Sequence, residues 1–213
     1  MKLPLFPLRS VFFPGETVPL HIFEERYRQL IHDCKNEAVT FGIPVYIYDG
    51  VAFGTEVQLV EIVTTYGGGE MDVVCVARQV FKIITFDQEM EGKLYAGGIV
   101  EFLDNLRDAD TKMKKDVLQG IEELYDLMGV PYTEIPVEKF NSFILGHKMG
   151  LSFEQEYQLL QMPRESERLA FIKAHLMATI TVLKEVDRTK RNIEMNGDFR
   201  NFDPLDFKDF KIH

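Results

Sequence analysis

The first 31 residues constrain the fold of this chain more than any other stretch. Four prolines, at positions 4, 7, 14 and 19, interrupt an opening segment that is otherwise apolar. Proline fixes φ at about −65° and favours an extended conformation in the residue before it. We therefore expect short edge strands that are broken by a turn at Pro14-Gly15. A helix is predicted to begin after them, at about Phe23.

Composition is ordinary for a globular protein of one large or two small domains. The chain has 213 residues, of which 46% are hydrophobic, and a net charge of −10. Apolar runs stay well short of the roughly 18–20 residues that cross a bilayer. The opening residues also lack the basic, apolar and small-residue order of a signal peptide. We expect a cytoplasmic protein that does not associate with membranes.

Cysteine and histidine give no sign of a metal centre. Cys34 and Cys75 fall on predicted apolar faces, so we expect two reduced thiols in the core rather than a disulfide or a metal site. The five histidines show no ligand spacing. The sequence predicts no metal and no cofactor. The acidic balance also makes nucleic acid an unlikely partner, because such binding depends on neutralising phosphates.

The hydrophobic pattern changes its period near residue 104, which divides the chain into two predicted subdomains. Residues 1–103 carry β-branched and aromatic runs separated by glycine-containing turns, at Phe41–Tyr48, Val57–Tyr66, Val73–Ala77, Val80–Phe86 and Tyr95–Phe102. One helix is inserted among them, with an apolar stripe of Phe23, Tyr27, Leu30, Ile31 and Cys34. Many short strands with one helix predict a small barrel-like sheet.

Residues 104–187 have helical periodicity. Predicted helices follow the stripe Met113–Met128 that ends at Gly129, a shorter stripe from Phe140 to His147, the capping box Ser152–Gln155, and a stripe from Leu169 to Leu183. Helices with such stripes cover one another, so we expect a compact bundle.

The final residues, 188–213, form a tail of different composition. Four phenylalanines are spaced among polar residues there: Phe199, Phe202, Phe207 and Phe210. One interpretation is that the tail packs on its own domain or on a neighbouring copy, which would make a homo-oligomer. The other is a disordered end.

The opening residues also resemble the start of the Lon protease N-terminal (substrate-binding) domain family. The motif Leu3-Pro4-Leu5-Phe6-Pro7-Leu8-Arg9 matches, as do Phe13-Pro14-Gly15 and the helix start at Phe23–Tyr27. Weaker similarity continues through Phe41-Gly42-Ile43 to Glu167-Arg168-Leu169, although Ala77-Arg78-Gln79-Val80 departs from the family's usual Gly-x-x-Arg. The resemblance covers about residues 3–185. It implies an α+β fold, a PUA-like pseudo-β-barrel with one inserted helix followed by a helical bundle.

The same resemblance implies a stand-alone module that binds polypeptide and is not an enzyme. Lon proteases join this domain to an ATPase and a Ser–Lys protease, yet the sequence contains no GxxxxGK[ST] loop and no serine in a protease-like setting. The implied partners are unfolded or specific polypeptides, with a protease or a chaperone as a candidate. RNA binding by the barrel and a small-ligand pocket between the subdomains remain as alternatives.

Exposed aromatic side chains are the candidate contacts for a polypeptide. Tyr46, Tyr48 and Phe53 lie on or beside the strand face opposite the aliphatic positions, and Phe12 and Phe13 precede the Pro14-Gly15 turn. Tyrosine is also common on the outer face of a sheet, and the two phenylalanines could instead be buried under the helical bundle.

Overall fold

The computed structural model describes residues 1–195, which form six strands and four α-helices. One helix lies between the second and third strands, and the other three follow the last strand. The elements, in chain order, are β1 (Lys2–Leu5), β2 (Thr17–Ile22), α1 (Glu25–Glu37), β3 (Phe41–Ile47), β4 (Gly50–Thr65), β5 (Met71–Asp87), β6 (Ala96–Phe102), α2 (Thr111–Met128), α3 (Phe153–Leu160) and α4 (Glu165–Met195). A single 3₁₀ turn lies at Gly146–Lys148. The α+β class predicted from the sequence is confirmed.

The strands form a partly closed barrel. Their order is β2-β5-β4-β3-β1-β6, and an additional pairing of β5 with β6 joins five of the strands into a ring, with β2 outside it against β5. The join between β1 and β3 is the one parallel pairing between named strands, and it is short: Leu5 pairs with Gly42, and an isolated bridge from Leu8 to Val45 continues it. This brief join explains why the barrel closes only in part.

Strand β5 connects the two sides of the barrel. The sequence predicted two strands here, Val73–Ala77 and Val80–Phe86, but the structure has one continuous strand of 17 residues. Its first half pairs with β2 and its second half with β6. The exposed Arg78 and Gln79, which suggested a break, lie where the strand changes its partner.

Both free edges of the sheet carry features that oppose the addition of a further strand. Just before β2, the backbone carbonyl of Glu16 accepts the N–H of Ala77 from β5. Alternate residues of β2 therefore bond to β5, and the backbone nitrogen of Pro19 points to the outer edge, where it has no proton to donate. On β4, pairing with β3 stops at Val57, and shifts of register beyond it leave Val60 and Val63 out of the ladder. Such bulges bend an edge strand away from regular pairing.

Helix α1 covers one face of the sheet, as its apolar stripe predicted. Tyr27, Leu30, Ile31 and Cys34 are buried in a cluster with residues of β2, β4 and β5. The predicted start at Phe23 is two residues early, and that side chain is 61% exposed. Cys34 and Cys75 are both free thiols in this cluster, and burial raises the pKa of each to about 12.

Helices α2 and α4 lie side by side and run in the same direction. Lys173 binds Asp116 at 2.8 Å, and farther along both helices Lys184 pairs with Glu123. The predicted stripe of α2 is buried at Val117, Ile121 and Leu124, but Met128 at its end is 57% exposed. Gly129 ends the helix with φ +66°. The predicted capping box of α3 is also present.

The helix predicted for residues 140–147 is wrong. This segment consists of turns and the 3₁₀ turn, because side chains take its backbone donors. Ser142 donates its N–H to Glu165 at 2.7 Å, and Phe143 donates to the side chain of Asn141 at 3.0 Å. Phe140 and Phe143 are still buried, whereas Ile144 is 44% exposed, so the aromatic part of the stripe reflects packing rather than a helix.

The barrel and the helical half share one hydrophobic cluster. Val11, Phe13, Val45 and Val80 of the barrel half are buried among the apolar residues of α2, α3, α4 and the 140–149 segment. Helix α4 continues to Met195, past the predicted boundary at 187. The tail phenylalanines Phe199, Phe202, Phe207 and Phe210 lie outside the described residues.

Candidate functional site

Two of the predicted contact residues lie on the outer surface of the barrel. Tyr46 is at the exposed end of β3, with 46% of its surface accessible, and Tyr48 follows in the β3–β4 turn with 79%. Tyr48 and Asp49 both have positive φ, +52° and +58°, as expected in a tight two-residue hairpin turn. The hairpin therefore holds two tyrosines at the rim of the barrel.

The three predicted phenylalanines lie elsewhere. Phe13 is fully buried and stacks on Phe143 at 5.3 Å between ring centroids. Phe53 is half-buried and packs edge-on against Tyr157 at 6.3 Å. Phe12 is half-buried beside the barrel cluster. The five residues therefore do not form one patch, since Phe13 and Phe53 belong to the contact between the two halves.

A wide groove opens on the barrel beside Tyr46. This barrel groove has a volume of about 980 Å³ and is bounded by the segment after β1, the β3–β4 turn and the connection from β5 to β6. Its exposed apolar side chains are Tyr46, Phe86 and Leu94. Its charged side chains are Arg9, Arg26, Asp49 and Glu89.

A second groove follows the contact between the barrel and the helical half. This junction groove, of about 570 Å³, is lined by residues 9–12 and 16–17 on one side and by the 144–148 and 153–156 regions on the other. Phe12, Ile144 and Phe153 supply its apolar surface. Arg9 lines both grooves, so the two meet at this residue.

His147 holds the two walls of the junction groove together. Its Nδ1 lies 2.8 Å from Glu156 of α3, and its Nε2 lies 3.2 Å from Glu16 of the barrel half. Glu16 also accepts the backbone N–H of Phe13 at 2.8 Å. The bond to Glu16, and then that to Glu156, raises the pKa of His147 to about 9. The imidazole is therefore a cation at neutral pH and bridges two carboxylates.

Buried polar side chains form a network around Arg168, and the sequence did not predict this network. Arg168, 2% exposed, binds Glu165 at 2.7 Å, Asn105 at 2.6 Å and the hydroxyl of Ser142 at 2.8 Å. Its guanidinium also lies 4.3 Å from the ring centre of Phe143. These bonds tie the exit of β6 to the start of α4, which gives the arginine of the Glu-Arg-Leu motif a structural role.

The structure leaves little enclosed space near this network. The enclosed cavity beside Arg168 measures about 30 Å³, room for about one water molecule. Among residues 1–195, no group of three histidine, cysteine or acidic side chains is placed to hold a metal ion. Within the same range, helices that combine enough length and apolar character to cross a membrane are absent.

Comparison with known proteins identifies the architecture. The sequence profile described as the ATP-dependent protease La (LON) substrate-binding domain matches residues 2–186. Among proteins with curated descriptions, none matches the chain.

Two solved structures show the same fold. The Lon N-terminal domain protein from Xanthomonas campestris is 26% identical, with a TM-score of 0.61, and the match covers 82% of this chain and 98% of that one. The N-terminal domain of the Mycobacterium avium complex Lon protease is 16% identical, with a TM-score of 0.62, and covers 83% and 98%.

Proposed function

Because the chain belongs to the ATP-dependent protease La (LON) substrate-binding domain family, we propose that it is a non-catalytic module that recognises polypeptide segments without ATP. The buried network around Arg168 and the shared hydrophobic cluster stabilise the fold. The surface open to a ligand is therefore the place to look for recognition.

The form of the sheet favours docking in a groove over strand addition. Pairing with an extra strand needs a regular row of free backbone donors and acceptors. Pro19 interrupts that row on β2, and the bulged Val60 and Val63 interrupt it on β4. A polypeptide that met either edge would find few matching partners.

The observation that carries the proposal is the barrel groove. Its volume of about 980 Å³ lies at the upper end of the range for small-molecule pockets. Tyr46, Phe86 and Leu94 expose 46%, 38% and 50% of their surfaces there. Exposed aromatic and aliphatic side chains in a groove with a polar rim are the usual anchors for apolar side chains of a peptide.

Fluorescence anisotropy with a labelled, permanently unfolded protein, such as reduced and carboxymethylated lactalbumin, tests the proposal. We expect binding in the absence of ATP. The double variant Tyr46→Ser, Phe86→Ser should weaken binding by about tenfold, because it removes two apolar anchors. Val60→Ser is the matched control, since Val60 is 60% exposed on the bulged edge of β4 and lies outside the groove.

The outcomes distinguish docking in the barrel groove from docking at the strand edge and from no binding. If Val60→Ser weakened binding as much as the double variant, the docking surface would be the strand edge and the groove would be the wrong site. If no unfolded protein bound, or if the purified chain cleaved casein by itself, the proposed function would be wrong.

A further inference from the structure

We propose that the barrel groove and the junction groove hold one extended polypeptide segment, and that Arg9 binds an acidic residue in the middle of that segment. The inference rests on the proposed function and deepens it by naming the ligand class. The ligand would carry apolar side chains on both sides of a central aspartate or glutamate.

The course of the chain joins the two grooves. Residues 7–9 line the barrel groove, and residues 9–12 line the junction groove. One short segment therefore forms a wall of both, with Arg9 at the point where the first groove passes into the second. An extended ligand that follows this wall would pass over Arg9.

Each groove supplies apolar contacts on its own side of Arg9. Tyr46, Phe86 and Leu94 lie in the barrel groove, while Ile144 and Phe153 lie in the junction groove. The Arg9 guanidinium is 6.0 Å from the ring centre of Phe153. This arrangement places a cation between two apolar surfaces.

The charges along the path favour a carboxylate at Arg9 in particular. Within residues 1–195, Arg9 makes no salt bridge and no side-chain hydrogen bond. The pKa of the nearby Glu154 is lowered by hydrogen bonds from the backbone and from Ser152, and the charge of Arg9 adds to this. Arg26, the other arginine of the barrel groove, is already paired with Glu24 at 2.7 Å. In the junction groove His147 is bound between Glu16 and Glu156.

The remaining charged groups set the position of the acidic residue. Asp49 and Glu89 line the barrel groove and would repel a carboxylate placed there. Lys148 lines only the junction groove, where it would add a weaker attraction for a carboxylate beyond Arg9. The planar guanidinium of Arg9 can bind both oxygens of a carboxylate, which an ammonium group cannot do with the same geometry.

Three short labelled peptides test the inference, identical except for a central Glu, Gln or Lys between apolar residues. We expect the wild-type chain to bind the Glu peptide about fivefold more tightly than the Gln peptide, the upper value for an ion pair of an exposed arginine. The Lys peptide should bind most weakly. High salt should reduce the preference for Glu.

Variants at Arg9 assign the preference to this side chain. Arg9→Gln should bind the Glu and Gln peptides equally, and Arg9→Lys should keep a part of the preference. Arg188→Gln, which removes an exposed arginine of α4, is the matched control and should behave like wild type. Far-ultraviolet circular dichroism checks that each variant is folded.

The result that overturns this inference differs from the one that overturns the proposed function. If the peptides bind, and binding weakens in the Tyr46→Ser, Phe86→Ser variant, but the Glu preference is absent or survives Arg9→Gln, the inference is wrong and the proposed function stands. If neither peptides nor unfolded proteins bind, both are wrong.

Discussion

Two charged side chains, Arg168 within the helical half and His147 between the halves, have different properties because their surroundings differ. Arg168 is buried and saturated with hydrogen bonds, so its charge is compensated inside the fold. Removing one member of such a group leaves an unpaired buried charge, which is costly. His147 is 39% exposed, and water screens its two ion pairs. Its contribution to stability is therefore modest and depends on pH.

We expect the variant His147→Gln to lower the free energy of unfolding by about 1 kcal/mol near neutral pH, the upper value for an exposed ion pair. The folded-state pKa of about 9 lies above the ordinary value of 6.5. The protonated His147 therefore stabilises the fold fully below pH 6.5, and this stabilisation is lost as the pH rises through about 9. The difference between wild type and variant should therefore shrink from pH 6 to pH 10.

Urea unfolding at several pH values, followed by circular dichroism, measures this difference. His32→Gln serves as the control, because His32 is exposed on α1 and lies away from the junction. A difference that stayed constant with pH, or grew as the pH rose, would show that the two carboxylates do not hold the imidazole as a cation.

Local sequence signals predicted a helix or strand correctly where the contacts that begin and end it lie within or beside that element. Helix α2 matches its predicted stripe because Asp110 caps its start at 2.7 Å and Gly129 ends it. Strand β5 and the 140–149 segment were predicted less well. In both, the deciding contacts come from elements distant in the sequence, β2 and β6 in the first case and Glu165 in the second.

We expect Ser152→Ala to lower the free energy of unfolding by about 1 kcal/mol. Ser152 and Gln155 form a reciprocal capping box, in which each side chain bonds to the backbone of the other. Alanine leaves the N–H of Gln155 without this acceptor. Chemical denaturation provides the measurement, and Ser152→Thr, which retains the hydroxyl, should keep most of the stability. A variant as stable as wild type would mean that α3 is held by packing alone.

The shared core determines the behaviour of the whole molecule. Val11, Phe13, Val45 and Val80 are all 7% exposed or less, and their burial depends on the helical half. The contact of His147 with Glu16 crosses between the same two halves. These observations indicate that the two halves fold as one cooperative unit.

We expect a chain that ends at residue 103 to show no cooperative unfolding, since it would expose these four apolar side chains to water. The full chain should unfold in one transition, with coincident curves from circular dichroism and from tyrosine fluorescence, because the chain has eight tyrosines and no tryptophan. A chain that ends at Met195 is the control and should keep a single transition. Cooperative unfolding of residues 1–103 would contradict the shared core.

The amino-acid sequence was sufficient to predict the scaffold. Proline positions, a change of period near residue 104 and the motif from Leu3 to Tyr27 were enough to predict the α+β fold and the Lon N-terminal domain family, and both are confirmed. Each of these signals is carried by a continuous stretch of sequence. They need no knowledge of what packs against them.

Which aromatic and charged side chains are exposed follows from the tertiary structure and not from local sequence. Sequence alternation placed Tyr46 on an outer face, and it lines the barrel groove, while the equally aromatic Phe13 became part of the core. The sequence did not predict the position of Arg9 between two grooves or the ion pairs of His147, because a groove and an ion pair between the two halves depend on residues up to 131 positions apart. Exposure is a property of the packed molecule, and no local pattern specifies it.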